Sequence, residues 1–80
     1  MAVLTGNDSN NLLDGGSTAD FISGLGGNDT LHGNGGDDIL IGGTGLDLQY
    51  GGSGNDTFLI GWDEVVSGEV YSGGTGSDTI

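Results

Sequence analysis

The sequence predicts a repeat architecture without helices, and three observations support this prediction. First, four nine-residue units run without a gap from Gly24 to Leu59: GLGGNDTLH, GNGGDDILI, GGTGLDLQY and GGSGNDTFL. Each unit has glycine in first and fourth place and aspartate in sixth, and such strict spacing is typical of repeat proteins. Second, three of the four units have a large apolar residue in eighth place, the set being Leu31, Leu40, Gln49 and Phe58. Third, glycine interrupts every window in which apolar residues would recur at helical spacing.

The same spacing extends upstream and resumes downstream. GNDSNNLLD and GGSTADFIS precede the four units, so that six contiguous repeats cover residues 6–59, with Asn11 in place of the first aspartate. Residues 60–72, IGWDEVVSGEVYS, are irregular, and GGTGSDTI at 73–80 is a truncated final repeat. Residues 1–5 are expected to add a lead-in strand that covers the open end through Val3 and Leu4. We expect one domain in all, and a chain that stops inside a repeat suggests a piece of a longer protein.

The consensus GGxGxDxUx, where U is a large apolar residue, resembles the nonapeptide of the RTX, or haemolysin-type, calcium-binding repeat family. The resemblance implies an all-β fold, a parallel β-roll (a β-solenoid) with two repeats per coil. In that fold the first six residues of each unit form a turn and the last three form a short strand. It also implies calcium ions between stacked turns, bound by aspartate carboxylates and main-chain carbonyl oxygens.

On such a fold the middle residue of each three-residue strand points inward, because side chains alternate along a strand. The expected strands are residues 12–14, 21–23, 30–32, 39–41, 48–50 and 57–59, and the expected core is Leu13, Ile22, Leu31, Leu40 and Phe58. The irregular segment has two interpretations. Either four residues are inserted into one turn, so that residues 70–72 form a strand with Tyr71 inward and the turn at Gly73 stacks on the turn at Gly51, or Trp62, Val65 and Val66 fold over the roll as a cap.

Two units per coil make residues 18 apart stack, so that the sixth-place residues form two columns. The Asp29 column is Asn11, Asp29 and Asp47, and the Asp20 column is Asp20, Asp38, Asp56 and, with an enlarged turn, Asp78. Calcium takes six to eight oxygen ligands, and carboxylates and backbone carbonyls both suit it. We therefore expect ions between Asp20 and Asp38, Asp38 and Asp56, Asp29 and Asp47, and Asp56 and Asp78, and a weaker site between Asn11 and Asp29. The alternative is that each aspartate only caps its own turn.

Composition supports a role for bound cations. The chain has 12 acidic residues, no lysine or arginine, 20 glycines and a net charge of −12. Self-repulsion on this scale opposes compaction and is typical of disordered or linker segments, although a linker would not space aspartates regularly. Binding of cations would remove the repulsion and couple to folding. The same charge excludes nucleic-acid binding, since no basic side chain can neutralise phosphates. Cysteine, a secretory signal and a transmembrane-length run are absent from the sequence.

The sequence contains no catalytic constellation, and its only histidine, His32, is expected at the surface. We therefore predict a non-enzymatic, secreted calcium-binding module that folds when it meets extracellular calcium and does not insert into a membrane. The alternatives are a non-catalytic C-terminal fragment of an exported enzyme (a protease, lipase or epimerase) or toxin, and a structural segment of an adhesin. Outward apolar residues suggest contact with another domain or copy, and these are Ile39, Ile41, Leu48, Tyr50 and Leu59.

Overall fold

A computed structural model describes residues 3–59, 70–74 and 76 of the chain. Its strands are β1 Val3–Thr5, β2 Leu12–Asp14, β3 Phe21–Ser23, β4 Thr30–His32, β5 Ile39–Ile41, β6 Leu48–Tyr50, β7 Thr57–Phe58 and β8 Val70–Ser72. Odd-numbered strands form one four-stranded sheet and even-numbered strands form the other. Because consecutive strands alternate between the sheets, the chain winds as a solenoid. No helix capable of crossing a membrane occurs in the part of the chain that the structure describes.

All strand pairs are parallel, and nearly all keep one spacing along the chain. Val3 pairs with Phe21 and Phe21 with Ile39, each partner lying 18 residues further on. The last pair differs, because Leu48 of β6 pairs with Val70 of β8 across 22 residues. The prediction of an all-β parallel β-solenoid with two repeats per coil is confirmed.

The narrow interior lies between the two sheets and takes one residue from each strand. Ile22, Leu31, Leu40 and Phe58 are buried and form the hydrophobic core, against which Leu4 and Leu13 pack in part. Alternation along the short strands explains this pattern, since the flanking residues of β3, β4 and β5 are only half-buried. Val3 is 67% exposed, so the expectation that it contacts the core is wrong. It precedes the inward Leu4 and therefore lies on the outer face.

The end of the solenoid bears on the two interpretations of the irregular segment. Val70–Ser72 pairs with β6, and the amide of Gly51 donates to the carbonyl oxygen of Ser72 at 2.7 Å. Gly74 lies against the backbone of Gly52, so this turn stacks on the turn one coil earlier. These contacts agree with an enlarged turn. The inward direction of Tyr71 and the cap formed by Trp62, Val65 and Val66 lie outside the described residues, and the division of the chain into segments stays a prediction.

The turns stack closely because glycine occupies their fourth place. Gly36 has φ of +85°, and a side chain there would collide with the backbone of Thr18 in the preceding coil. Glycine reaches this left-handed conformation without the clash that a Cβ causes. In second place, however, Leu25 and Asn34 also take φ of +67°. Bulky residues rarely adopt this conformation, so Leu25 is held there by the stacked turns.

Candidate metal centre

The sixth-place aspartates are buried, although each carries a carboxylate. Relative exposure is 3% for Asp20, 1% for Asp29, Asp38 and Asp56, and 0% for Asp47. An ionised carboxylate that leaves water must be compensated by hydrogen bonds, a partner charge or a metal ion. The repeat therefore places its charges inside the stacked turns and not on the surface.

One carboxylate oxygen of each aspartate binds the main chain of the preceding coil. In the Asp20 column, Oδ1 of Asp38 accepts the amide of Asp20 at 2.8 Å, and Oδ1 of Asp56 accepts the amide of Asp38 at 2.9 Å. In the Asp29 column, the amides of Asn11 and Asp29 donate to Oδ1 of Asp29 and Asp47 at 2.7 and 2.8 Å. The structure thus brings together residues 18 apart, as the two predicted columns require.

The second oxygen points into a space beside the first-place glycine of its own unit. A side chain on Gly33 would begin 2.5 Å from Oδ2 of Asp38 and 2.7 Å from the carbonyl oxygen of Gly51. A side chain on Gly24 would likewise begin 2.6 Å from Oδ2 of Asp29 and 2.8 Å from the carbonyl oxygen of Gly42. Only glycine leaves this space open.

These oxygens have the character of cation ligands. Oδ2 of Asp29 and Oδ2 of Asp38 are buried and have no hydrogen-bond partner among the described residues. Each lies near a carbonyl oxygen of the next coil, and both groups are acceptors. Two acceptors without a donor between them repel unless a cation binds both, and hard oxygen ligands of this kind suit calcium. The residues present therefore fit the ion that the repeat implies.

Asp20 differs from the others because it also caps its own turn. Its Oδ2 accepts the amide of Gly16 at 2.8 Å, and Oδ1 of Asn11 accepts the amide of Asn7 at 2.9 Å. The capping alternative is thus realised in the first two turns. Oδ2 of Asp20 still lies beside Gly15 together with the carbonyl oxygen of Gly33, and a carboxylate oxygen accepts more than one bond. Capping and cation binding are compatible at this residue.

Burial and mutual repulsion change the acidity of these groups. Burial raises the pKa of Asp38 from 3.8 to about 6, and the neighbouring carboxylates of Asp56 and Asp20 raise it further, while the hydrogen bond from the amide of Asp20 opposes the increase. Burial also raises the pKa of Asp29 above 3.8, against the hydrogen bond from the amide of Asn11. A cation between the turns would favour the charged form that burial disfavours.

A second ladder, which the sequence analysis missed, runs along the fifth place of the turns. The amide of Asn28 donates to Oδ1 of Asn10, the amide of Leu46 to Oδ1 of Asn28, and the amide of Asn55 to Oδ1 of Asp37, each at 2.8 Å. Here the side chain binds the following coil, whereas the sixth-place side chain binds the preceding one. Asparagine or aspartate in fifth place at intervals of 18 residues was the available signal.

The other predicted residues lie apart from these columns. Asp8, Asp14 and Asp37 are exposed, as expected. His32 lies half-buried on the outer face and stacks on Tyr50 with ring centroids 5.0 Å apart. Asp78 lies outside the described residues, which contain no group of three or more acidic or histidine side chains that could hold a metal. A site here would therefore need main-chain oxygens as well as carboxylates.

Stacked glycine turns with inward aspartates define a parallel β-solenoid of the metal-binding repeat class. The family described as RTX calcium-binding nonapeptide repeat (4 copies) matches the chain over residues 3–31, 14–49 and 32–64. The chain therefore belongs to the RTX calcium-binding repeat family, and this membership implies a calcium-binding β-roll. No curated protein and no solved structure gives a significant match.

Proposed function

We propose that this chain is a calcium-binding module that folds when calcium binds between its stacked turns. The observation that carries the proposal is the convergence of a buried carboxylate oxygen and a carbonyl oxygen beside Gly24 and beside Gly33, without a donor between them. The ligand residues that we propose are the calcium-column residues Asn11, Asp20, Asp29, Asp38, Asp47, Asp56 and Asp78.

Each proposed site combines residues of two coils. Asp38 would contribute Oδ2 and Gly51 its carbonyl oxygen, while Oδ1 of Asp38 keeps the carboxylate in place through the amide of Asp20. Asp29 and Gly42 are arranged in the same way. When bound, the ion supplies positive charge that converts repulsion between stacked carboxylates into attraction. The pairs are those expected from the 18-residue spacing, and the Asp56 and Asp78 pair depends on residues outside the described part.

Folding on binding follows from the charge of the chain. With 12 acidic side chains and no lysine or arginine, the compact state has no basic partner except the lone His32 and the N-terminus. Metal binding to sites that exist only in the folded state contributes its free energy to folding. Because every coil contacts its neighbours, we expect ions to bind cooperatively along the array.

We further propose that the module works outside the cell, within a larger exported protein, and is not itself an enzyme. Extracellular calcium modules typically bind at about 10⁻⁴ to 10⁻³ M, so the chain would stay unfolded at cytosolic calcium. RTX repeats are typical of exported proteins. Flanking sequence would identify the parent protein: a zinc-protease helix or a nucleophile elbow indicates an exported enzyme, and long tandem repeats indicate an adhesin.

The test is far-UV circular dichroism during calcium titration from a chelated start, with magnesium in parallel. Wild type should gain β-signal steeply with calcium and little with magnesium, which prefers small octahedral sites. Gly33→Ala should abolish or strongly weaken this response, because its methyl group would fill the space between Asp38 and Gly51. Gly16→Ala is the matched control, since nothing lies within 4 Å of that position. A wild-type chain equally folded in chelator and in calcium would refute the proposal.

A further inference from the structure

Gln49 occupies an interior position where the repeat otherwise has an apolar residue. Its side chain is 1% exposed, and it stacks directly on Leu31 of the core. A buried primary amide is costly unless its polar atoms find partners. The side chain therefore needs a role that a leucine in the same place would not fill.

The surroundings of Gly42 indicate that role. A side chain on Gly42 would begin 2.5 Å from Nε2 of Gln49 and 2.7 Å from Oδ2 of Asp47. The amide nitrogen and the carboxylate oxygen therefore lie over the same α-carbon. At Gly24 and Gly33 the two corresponding atoms are a carboxylate oxygen and a carbonyl oxygen of the next coil. Beside Asp47 a donor thus takes the place that an acceptor has in the regular units.

The chemistry fixes how the two groups face each other. An ionised carboxylate only accepts hydrogen bonds, so the amide must present its N–H groups to Asp47. Hydrogen bonds to charged acceptors are stronger than neutral ones. Asp47 is also the last member of the Asp29 column, and the chain passes through the irregular residues 60–69 before β8 continues the sheet. At this end of the column a side chain, and not a regular turn, compensates the carboxylate.

We propose that Gln49 is a positioning residue for the calcium site at Asp29 and Asp47, and that its side-chain amide donates to Oδ2 of Asp47 from inside the roll. Oδ1 of Asp47 is held by the amide of Asp29, so the two bonds together fix the plane of the carboxylate. The proposal rests on the proposed calcium-binding function. It adds a residue that lies outside the repeat consensus.

The first experiment titrates the full chain with calcium chloride and compares wild type, Gln49→Leu and Leu31→Met by circular dichroism. Loss of a hydrogen bond to a charged group should weaken one site about tenfold or more. Spread over several cooperative ions, this should raise the calcium midpoint of Gln49→Leu about two- to threefold. The control Leu31→Met, which changes the stacked core residue without affecting an amide, should keep the wild-type midpoint.

The direction of the shift separates this role from a merely structural one. If Gln49 only fills space, leucine should fit the apolar core better, and the midpoint should stay the same or fall. That result would overturn the proposal while leaving calcium binding intact. Absence of any calcium response in wild type would overturn the proposed function and, with it, the role of Gln49.

A second readout observes the amide itself. In the ¹⁵N-labelled, calcium-saturated chain, the Gln49 side-chain signals should exchange slowly with water and should shift when Asp47→Asn is introduced. Asp56→Asn, the same substitution in the other column, should leave them in place. Gln49 signals that exchange rapidly, or that ignore Asp47→Asn, would overturn the proposal even if Gln49→Leu changed the midpoint.

Discussion

Asp38→Asn is the substitution that most directly separates the two states of the module. Asp38 lies in the middle of the Asp20 column and belongs to two proposed sites, one with Asp20 and one with Asp56. Asparagine keeps the Oδ1 acceptor for the amide of Asp20 and replaces the buried Oδ2 with an amide nitrogen near the carbonyl oxygen of Gly51. A pair of acceptors thereby becomes a donor and an acceptor, which hydrogen-bond without a cation.

The expected effects therefore have opposite signs with and without calcium. In chelator the variant should be more structured than wild type, by about 1 to 3 kcal/mol, because a buried oxygen without a partner is replaced by a bonded amide. In calcium it should bind two ions fewer, or bind them at least tenfold more weakly, because both sites lose a charged ligand. Residual β-signal in chelator measures the first effect, and isothermal titration calorimetry measures the second.

Asp37→Asn is the matched control, since it removes the same charge from the adjacent residue. Asp37 is exposed, and asparagine would retain the Oδ1 acceptor for the amide of Asn55. It should therefore bind calcium with nearly the stoichiometry and affinity of wild type. If Asp38→Asn and Asp37→Asn bind calcium equally well, net charge alone matters and the assignment of Asp38 as a ligand is refuted.

Three further predictions follow from the turns and the buried carboxylates. Leu25→Gly should stabilise the calcium-bound fold against urea by about 0.5 to 1 kcal/mol, because glycine relieves the left-handed conformation at φ of +67°; Leu25→Ala should give no such gain, and an equal gain would show that the conformation is not strained. Ala19→Asn should stabilise the fold by about 1 kcal/mol in the same assay by supplying an acceptor to the amide of Asp37, as Asn10 does for Asn28; unchanged stability would limit the fifth-place ladder to its existing rungs. The metal-free chain should gain β-signal as pH falls from 7.5 to 5, because the pKa of Asp38 is raised to about 6 in the folded state, so that folding takes up a proton below that pH and loses this stabilisation above it; over the same range the calcium midpoint should rise, and a pH-independent signal in chelator would contradict the raised pKa.

The strands and the two columns could be predicted closely because the period fixes the register. Once residues 18 apart stack, a shift by one residue would move Leu31 and Leu40 out of the core, so only one register buries them. The role of Gln49 was not predictable in this way, since it depends on which atoms meet over Gly42. The second bond of Asp20 to its own turn likewise depends on local side-chain geometry. Spacing determines which residues meet but not how their polar atoms pair.

The composition of the interior explains why calcium is expected to decide whether this chain folds. Among the described residues, four hydrophobic side chains are buried, whereas five aspartates are buried with them. In most small domains the buried residues favour folding under all conditions, because they are apolar. Here each coil that adds a core residue also adds a buried carboxylate, which opposes folding alone and favours it with a bound cation. Extending the array would therefore increase stability in calcium and repulsion in chelator together, which sharpens the response without changing the sequence of a single turn.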